Sequence, residues 1–342
     1  MNFHFKNLFK KNTKQQKYED RINNEINFYK DCENVHDLPE IFHYWSNKYL
    51  LPLHKQFGFN SPDDFFIIYC QKFCTKHASQ KHVKILSVGS GNGELEVKVA
   101  SELKNKGITN FSITCMDINK HMLDRTINLA KKENVEQHIK ILIEDFNKWK
   151  PSFEYDIILA NQSLHHVLEL EHLFNSIYNG LSKNGQFLTS DMIGRNGHMR
   201  WPEALEALQP FWQELAQEKK YNQLLKRQED TYINHDCSTE GFEGIRAQDI
   251  LPLLKQKFNF ELFIPFANIV SVVIDRPFGH NFDTNDTKDL NFIDRLQAKD
   301  EELILKGVLK PTQMIAAMTK SQVLETKLVN PILTPEFCIR KV

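Results

Sequence analysis

From Val83 onward the chain alternates short apolar runs with longer stretches whose apolar residues recur at helical spacing. Val83–Val88, Phe111–Asp117, Ile139–Ile143, Tyr155–Asn161 and Gln186–Asp191 read as strands. Leu95, Val97, Val99 and Leu103 supply the apolar face of an intervening helix, and Lys120–Lys132 and Glu169–Leu181 read as two more. Strands apolar at consecutive positions need cover on both faces, and helices placed between them supply it in a parallel sheet. With later strand regions at Phe260–Asp275 and Gln313–Met318, the expected class is α/β. It is a doubly wound, mostly parallel seven-stranded sheet, with residues 81–195 as the ligand-binding core.

The flanking sequence breaks this rhythm. Residues 1–80 read as an N-terminal helical cap, with a helix start near Leu38-Pro39-Glu40. Trp201, Leu205, Leu208, Phe211, Trp212 and Leu215 recur at helical spacing inside a helical insertion at 196–245, where Pro210 is expected to kink or end the helix. The rest of the core is expected at 246–320, interrupted by a polar lid at 276–310, and residues 321–342 form a tail.

Charge and composition narrow the partners. The formal net charge is −1, so no global field favours nucleic acid. No apolar run is long enough to cross a bilayer. The basic start, with Lys6, Lys10 and Lys11, lacks the features of a signal peptide. Cys32, Cys70, Cys74, Cys115, Cys237 and Cys338 show no paired framework, which fits reduced thiols and a cytoplasmic setting. Cys70 and Cys74 share a helical spacing, but no second ligand pair follows, and no metal is expected.

The chemistry starts at the first strand, which delivers Gly89-Ser90-Gly91-Asn92-Gly93 to a helix start. Such a turn admits a nucleotide-like ligand to the backbone and to free N–H groups. A dinucleotide fingerprint would put its third glycine at position 94, where Glu94 stands. The segment Ile85–Glu94 instead resembles the first motif of class I S-adenosylmethionine-dependent methyltransferases, with Ser87 where that family usually carries an acid. The resemblance implies S-adenosylmethionine as cofactor, held by Gly89, Ser90, Gly91 and Gly93. It further implies Asp117 and Ile118 at the ribose, Asp145 and Phe146 at the adenine, and Asn161 and Gln162 beside the methyl group. For Asp117 a helix N-cap is the plain alternative. The run Asn161-Gln162-Ser163-Leu164-His165-His166 resembles the ubiquinone- and menaquinone-biosynthesis methyltransferases.

His165 and His166 are the base candidates, because they directly follow the fourth strand and imidazole exchanges protons near neutral pH. Their position resembles the base-bearing stretch of plant-type O-methyltransferases. Asp191, Arg195, His198, Arg200 and Trp201 are the expected substrate contacts, and a second polar cluster lies at His235–Glu243. The resulting expectation is methyl transfer to the oxygen or nitrogen of a small or medium organic acceptor, by a protein without membrane spans that forms a homodimer. Three alternatives stay open: a protein or RNA methyltransferase, a nicotinamide dehydrogenase, and a non-catalytic protein that keeps the fold.

Overall fold

Side chains on successive strand residues point to opposite faces, so an all-apolar strand feeds two cores at once. The computed structural model describes residues 18–27, 29–30, 37–78, 81–239 and 241–341. In it β1 (Val83–Val88), β2 (Phe111–Asp117), β3 (Ile139–Ile143), β4 (Tyr155–Asn161) and β5 (Leu181–Met192) lie parallel. Two short strands, β6 (Tyr221–Asn222) and β7 (Arg227–Gln228), pair on their own. β8 (Asn259–Phe266) and β9 (Gln313–Thr319) complete the expected seven, with β9 antiparallel between β5 and β8. A two-residue β10 (Lys327–Leu328) adds an eighth edge strand, giving the order β10-β8-β9-β5-β4-β1-β2-β3.

The helices divide between the faces. α1 (Glu40–Trp45) and α2 (Leu51–Lys55) precede α3 (Pro62–Lys76), α4 (Glu94–Asn105) and α5 (Lys120–Lys132). The last three bury Phe66, Val99 and Leu123 against Val83, Ile85, Ile157 and Leu159. On the other face lie α6 (Leu170–Gly180), α7 (Pro202–Glu214), α8 (Ala247–Lys257), α9 (Ile269–Ile274) and α10 (Thr287–Leu305), before the short α11 (Pro335–Cys338). Leu173, Leu208, Leu254, Val273 and Leu296 pack there with Leu86, Val88, Ile158 and Ala160. β3 is the far edge, and its Ile141 and Ile143 stay exposed.

Two local expectations are corrected. The apolar run Phe260–Asp275 is not one strand: β8 stops at Phe266, Ala267 takes a left-handed φ of 55°, and Ile269–Ile274 coil into α9. The β-branched run IVSVVI favours a strand by propensity. The buried Asp300 carboxylate on α10 overrides that preference by accepting the N–H groups of Asn268 (2.8 Å) and Ile269 (2.9 Å), which a helix start leaves free. Pro210 does not end its helix either; α7 continues to Glu214, with Leu208 and Trp212 buried on either side of the proline.

The N-terminal segment joins the same body. Tyr44, Lys48 and Tyr49 all donate to Asp294 on α10, at 2.6–2.8 Å. Cys70, Cys74, Cys115, Cys237 and Cys338 are free thiols, four of them buried. Cys32 and the basic start lie outside the described residues. No helix among the described residues is long and apolar enough to cross a membrane. Removing the Asp300 cap strands two buried N–H donors, so Asp300→Ala is expected to cost about 2–4 kcal/mol of stability. Urea unfolding should show a lower midpoint at unchanged slope; an unchanged midpoint would refute the cap's role.

Candidate active site

The site forms at the carboxyl ends of β1, β2, β4 and β5, where the loops turn away from the sheet. Gly89, Gly91 and Gly93 take φ of 67°, 56° and 73°, a left-handed region closed to most side chains. A Cβ on Gly93 would lie 2.3 Å from the Thr126 side chain, and one on Gly89 would lie 2.7 Å from Ser163 Cβ. The loop is therefore glycine because α5 and the β4 loop press against it.

Asp117 ends β2 facing this loop. Its carboxylate accepts the Gly91 N–H (2.9 Å) and the Asn119 N–H (2.8 Å). The cap of α5 is Asn119, whose side chain accepts the His121 N–H, so the N-cap alternative for Asp117 is excluded. A carboxylate has about four acceptor sites, and two remain for the hydroxyls of a ligand. Burial pushes the Asp117 carboxyl up from the ordinary carboxylate value. Ile118, Asp145, Phe146, Asn161 and Gln162 line the same cavity of about 750 Å³. Asp145 accepts the Tyr18 hydroxyl (2.8 Å) and the Asn147 N–H (2.9 Å). The phenol comes from residues 18–27, a helical segment that places Ile22, Glu25 and Ile26 on the cavity wall. Asn119 and Arg125 tie this segment down by donating to the carbonyls of Ile26, Lys30 and Tyr29.

Ser87 is resolved by its neighbour in space. Its hydroxyl donates to Glu96 Oε1 at 2.5 Å, and Glu96, in the first turn of α4, also lines the cavity. The carboxyl absent at position 87 thus arrives from the adjoining helix. Burial pushes Glu96 up to about 7, against the pull of the Ser87 hydrogen bond.

The same cavity is lined by a cluster of imidazoles and carboxylates. His165 Nδ1 donates to Asp191 Oδ1 at 2.7 Å, and its Nε2 lies 3.5 Å from Glu243 Oε1. His198 Nε2 lies 2.6 Å from the same Glu243 oxygen. Burial depresses the His165 imidazole, yet the Asp191 and Glu243 carboxylates outweigh it and hold the group well above its usual value. Burial also opposes ionisation of Glu243, but His165 and His198 hold its carboxyl well below the ordinary range. His166 Nδ1 is buried 3.1 Å from Glu25 Oε1, out of line for a hydrogen bond, and its Nε2 lies 3.4 Å from Glu243 Oε2.

The expected substrate contacts divide. His198 reaches the cluster. Asp191 does not face a substrate: it is fully buried and accepts the backbone N–H groups of Ser163, Leu164, His165 and Met192, as well as the His165 ring. Its position at the end of β5 puts it beneath the β4 loop. Trp201 lies between Arg195 (5.0 Å) and Arg340 (4.1 Å), and none of the three lines the cavity. Arg200 is buried, donating to the His198 carbonyl and to Ser271 Oγ, both at 2.8 Å. Cation–π stacking and carbonyl binding make these residues fasteners of the inserted segment. Glu243 was visible in sequence only as part of a polar exit loop, and Glu25, Glu96 and Tyr18 carried no motif.

A strand-order reversal between β1 and β4, a glycine loop and acids at successive strand ends converge on one ligand type. The methyltransferase-domain family profile matches residues 79–261, more than half of the chain. The chain belongs to the methyltransferase-domain family. Asp117, the glycine loop and Phe146 share one cavity, an arrangement that suits S-adenosylmethionine, the methyl donor to be expected in that family. Over 178 residues it is 27% identical to malonyl-[acyl-carrier protein] O-methyltransferase 1 of Ilyobacter polytropus, covering 50% of this chain and 62% of that protein. The chain therefore spans less than two thirds of that relative's length. It is 27% identical over 105 residues to the ubiquinone/menaquinone biosynthesis C-methyltransferase UbiE of Rickettsia bellii, covering 30% of this chain and 42% of that one. Among solved structures it is similar to the O-methyltransferase of a trans-AT PKS multienzyme of Brevibacillus brevis, in complex with S-adenosyl-L-homocysteine. That likeness has 14% identity and a TM-score of 0.45, and covers 89% of this chain and 84% of that one.

Two measurements check the methyltransferase's donor side. Asp117→Ala is expected to weaken S-adenosylmethionine binding by about 10²-fold or more, the loss of two charge-assisted hydrogen bonds. Unchanged affinity in calorimetry would sink the ribose assignment. Glu96 has a folded value near 7 against an ordinary 4.5, so the sign follows. Below the lower value both states hold the proton and stability is unaffected; between the two the unfolded chain ionises first, and stability falls as pH rises. Glu96→Gln should therefore gain more thermal stability over the wild type at about pH 8.5 than at about pH 5.5. An equal difference at both pH values would contradict a proton on Glu96.

Proposed function

We propose that this methyltransferase methylates a hydroxyl oxygen of a small or medium organic acceptor with an apolar body. The observation that carries the reading is the His165–His166–Glu243 cluster on the wall of the cavity that the glycine loop also lines. A hydroxyl must lose its proton to become a good nucleophile, and a cluster of imidazoles beside carboxylates supports that step. Leu38, Phe42, Trp45, Phe66, Phe242 and Phe266 line the same cavity, which favours an acceptor with apolar surface. The O-methyltransferase names among the relatives agree with the assignment to oxygen.

When bound, S-adenosylmethionine supplies an electrophilic methyl group on a sulfonium. His166, which lines the cavity and is flanked by the Glu25 and Glu243 carboxylates, takes the acceptor's hydroxyl proton. The oxygen's electron pair then forms the new carbon–oxygen bond, and the carbon–sulfur pair stays on sulfur. His165 is held by Asp191 and serves to position the cluster. The remaining barrier falls through alignment, worth roughly 7–11 kcal/mol when both partners are held in line. The helical segment at 18–27, α1, the inserted segment and α9 would serve as the acceptor's enclosure, excluding water from the transfer. No basic groove is needed in this reading, in which the partner is a small molecule rather than nucleic acid.

His166→Ala is expected to lower turnover about 10²–10⁴-fold while leaving S-adenosylmethionine affinity unchanged. The check is S-adenosylhomocysteine release with a panel of small hydroxy compounds and a matched panel of amines, with mass spectrometry locating the methyl group. Full turnover by both His166→Ala and the His165→Ala/His166→Ala double variant would remove the base. Products methylated only on nitrogen would remove the oxygen assignment.

A further inference from the structure

The imidazole–carboxylate cluster has a geometry that proton transfer alone does not require. His165 Nε2, His198 Nε2 and a Glu243 oxygen all lie within 4.8 Å of one another, the single such trio of His, Cys, Asp or Glu side chains among the described residues. They come from three separate segments: the turn after β4, the loop before α7 and the loop before α8. We propose that these three side chains bind a divalent transition-metal ion of the zinc or iron class, with its open coordination positions toward the cavity.

Tautomer, spacing and rigidity support the site independently. His165 Nδ1 donates to the buried Asp191 carboxylate, so Nε2 is the nitrogen that faces Glu243. A histidine ligand whose second nitrogen is held by a carboxylate is the usual arrangement around bound zinc. An ion would displace the Nε2 proton of His165 and sit between that nitrogen and the carboxylate 3.5 Å away, and the second imidazole at 2.6 Å from the same oxygen supplies a third donor. Donors about 2.1 Å from a tetrahedral ion sit roughly 3.4 Å apart, so the first spacing already fits and the second widens by less than about 1 Å. Glu243, with its side chain 40% exposed, has room to make that adjustment.

The backbones are fixed more firmly than the side chains. Ile245 N–H donates to the His165 carbonyl at 3.1 Å, and Gly197 N–H donates to the Gly244 carbonyl at 2.9 Å, lacing the three loops together. His198 holds a left-handed φ of 57°, and Arg200 clasps its carbonyl at 2.8 Å. A Cβ on Gly244 would come within 3.0 Å of His198 Cε1, so close packing sets the ring's place. Backbone strain held by surrounding contacts belongs where a side chain must be aimed. Two imidazoles and one carboxylate suit zinc, iron, cobalt or nickel and select against magnesium and calcium, which take oxygen ligands. His165 and Glu243 line the cavity, so an ion between them reaches its contents. An ion there polarises an acceptor oxygen, a role that rests on the hydroxyl reading above.

The test uses untagged full-length protein stripped with a chelator and titrated with Co²⁺ alone, read by its visible d–d absorption, and with Zn²⁺ alone, read by calorimetry. The expected result is one ion per chain, with cobalt absorption typical of mixed nitrogen and oxygen ligands. Affinity should fall about 10²-fold or more in His198→Ala and in Glu243→Gln, each checked for folding by circular dichroism. His172→Ala, which lies away from the cluster, should bind as the wild type does. Absence of stoichiometric binding by the wild-type chain overturns the site, as does unchanged binding in the His198→Ala/Glu243→Gln double variant. Neither readout needs an acceptor or the methyl donor, so failure of the hydroxyl assignment leaves this result standing, and the reverse also holds.

Discussion

The Asp191 carboxylate is the point on which the acceptor side of the site depends. It sits fully buried at the end of β5 and takes backbone N–H groups from three consecutive residues after β4, together with the His165 ring. A buried carboxylate is costly unless its lone pairs are filled, and here the β4 turn fills them. The same bonds fix the direction in which His165 points. A short turn between a strand and a helix is ordinarily free to vary, and this one is not.

The donor side shows the same economy of acids placed by different elements. Asp117 comes from β2 and holds the glycine loop, while Glu96 comes from α4 and meets Ser87. The carboxyl that position 87 lacks is therefore supplied by Glu96 from the adjoining helix. Glu25 then lines the cavity, and Tyr18 bonds its Asp145, from a segment that precedes the core. The cap is thus part of the site, because its side chains complete hydrogen bonds that core residues begin.

The sheet was readable because its strands are apolar on both faces, and the glycine loop because three left-handed residues in five leave little choice but glycine. The chain also announced Asp117, Asp145 and the two histidines by placing them at successive strand ends. Asp191, Arg195, Arg200 and Trp201 were found as a polar stretch near the cofactor edge, yet a stretch has no direction. Whether Arg200 meets a ligand or a carbonyl is decided by what packs beside it, here His198 and Ser271.

The sequence by itself determined the α/β class and the strand-end position of the glycine loop, since periodicity and a local loop motif are encoded in neighbouring residues. Tertiary structure decided the rest. Ile269–Ile274 became a helix because Asp300, distant in sequence, supplied the cap that outweighs β-branched preference. Glu243, His198 and His165 became one cluster because three loops were laced by backbone hydrogen bonds. Contacts of that kind join residues with no fixed spacing along the chain, so no local pattern could have disclosed them.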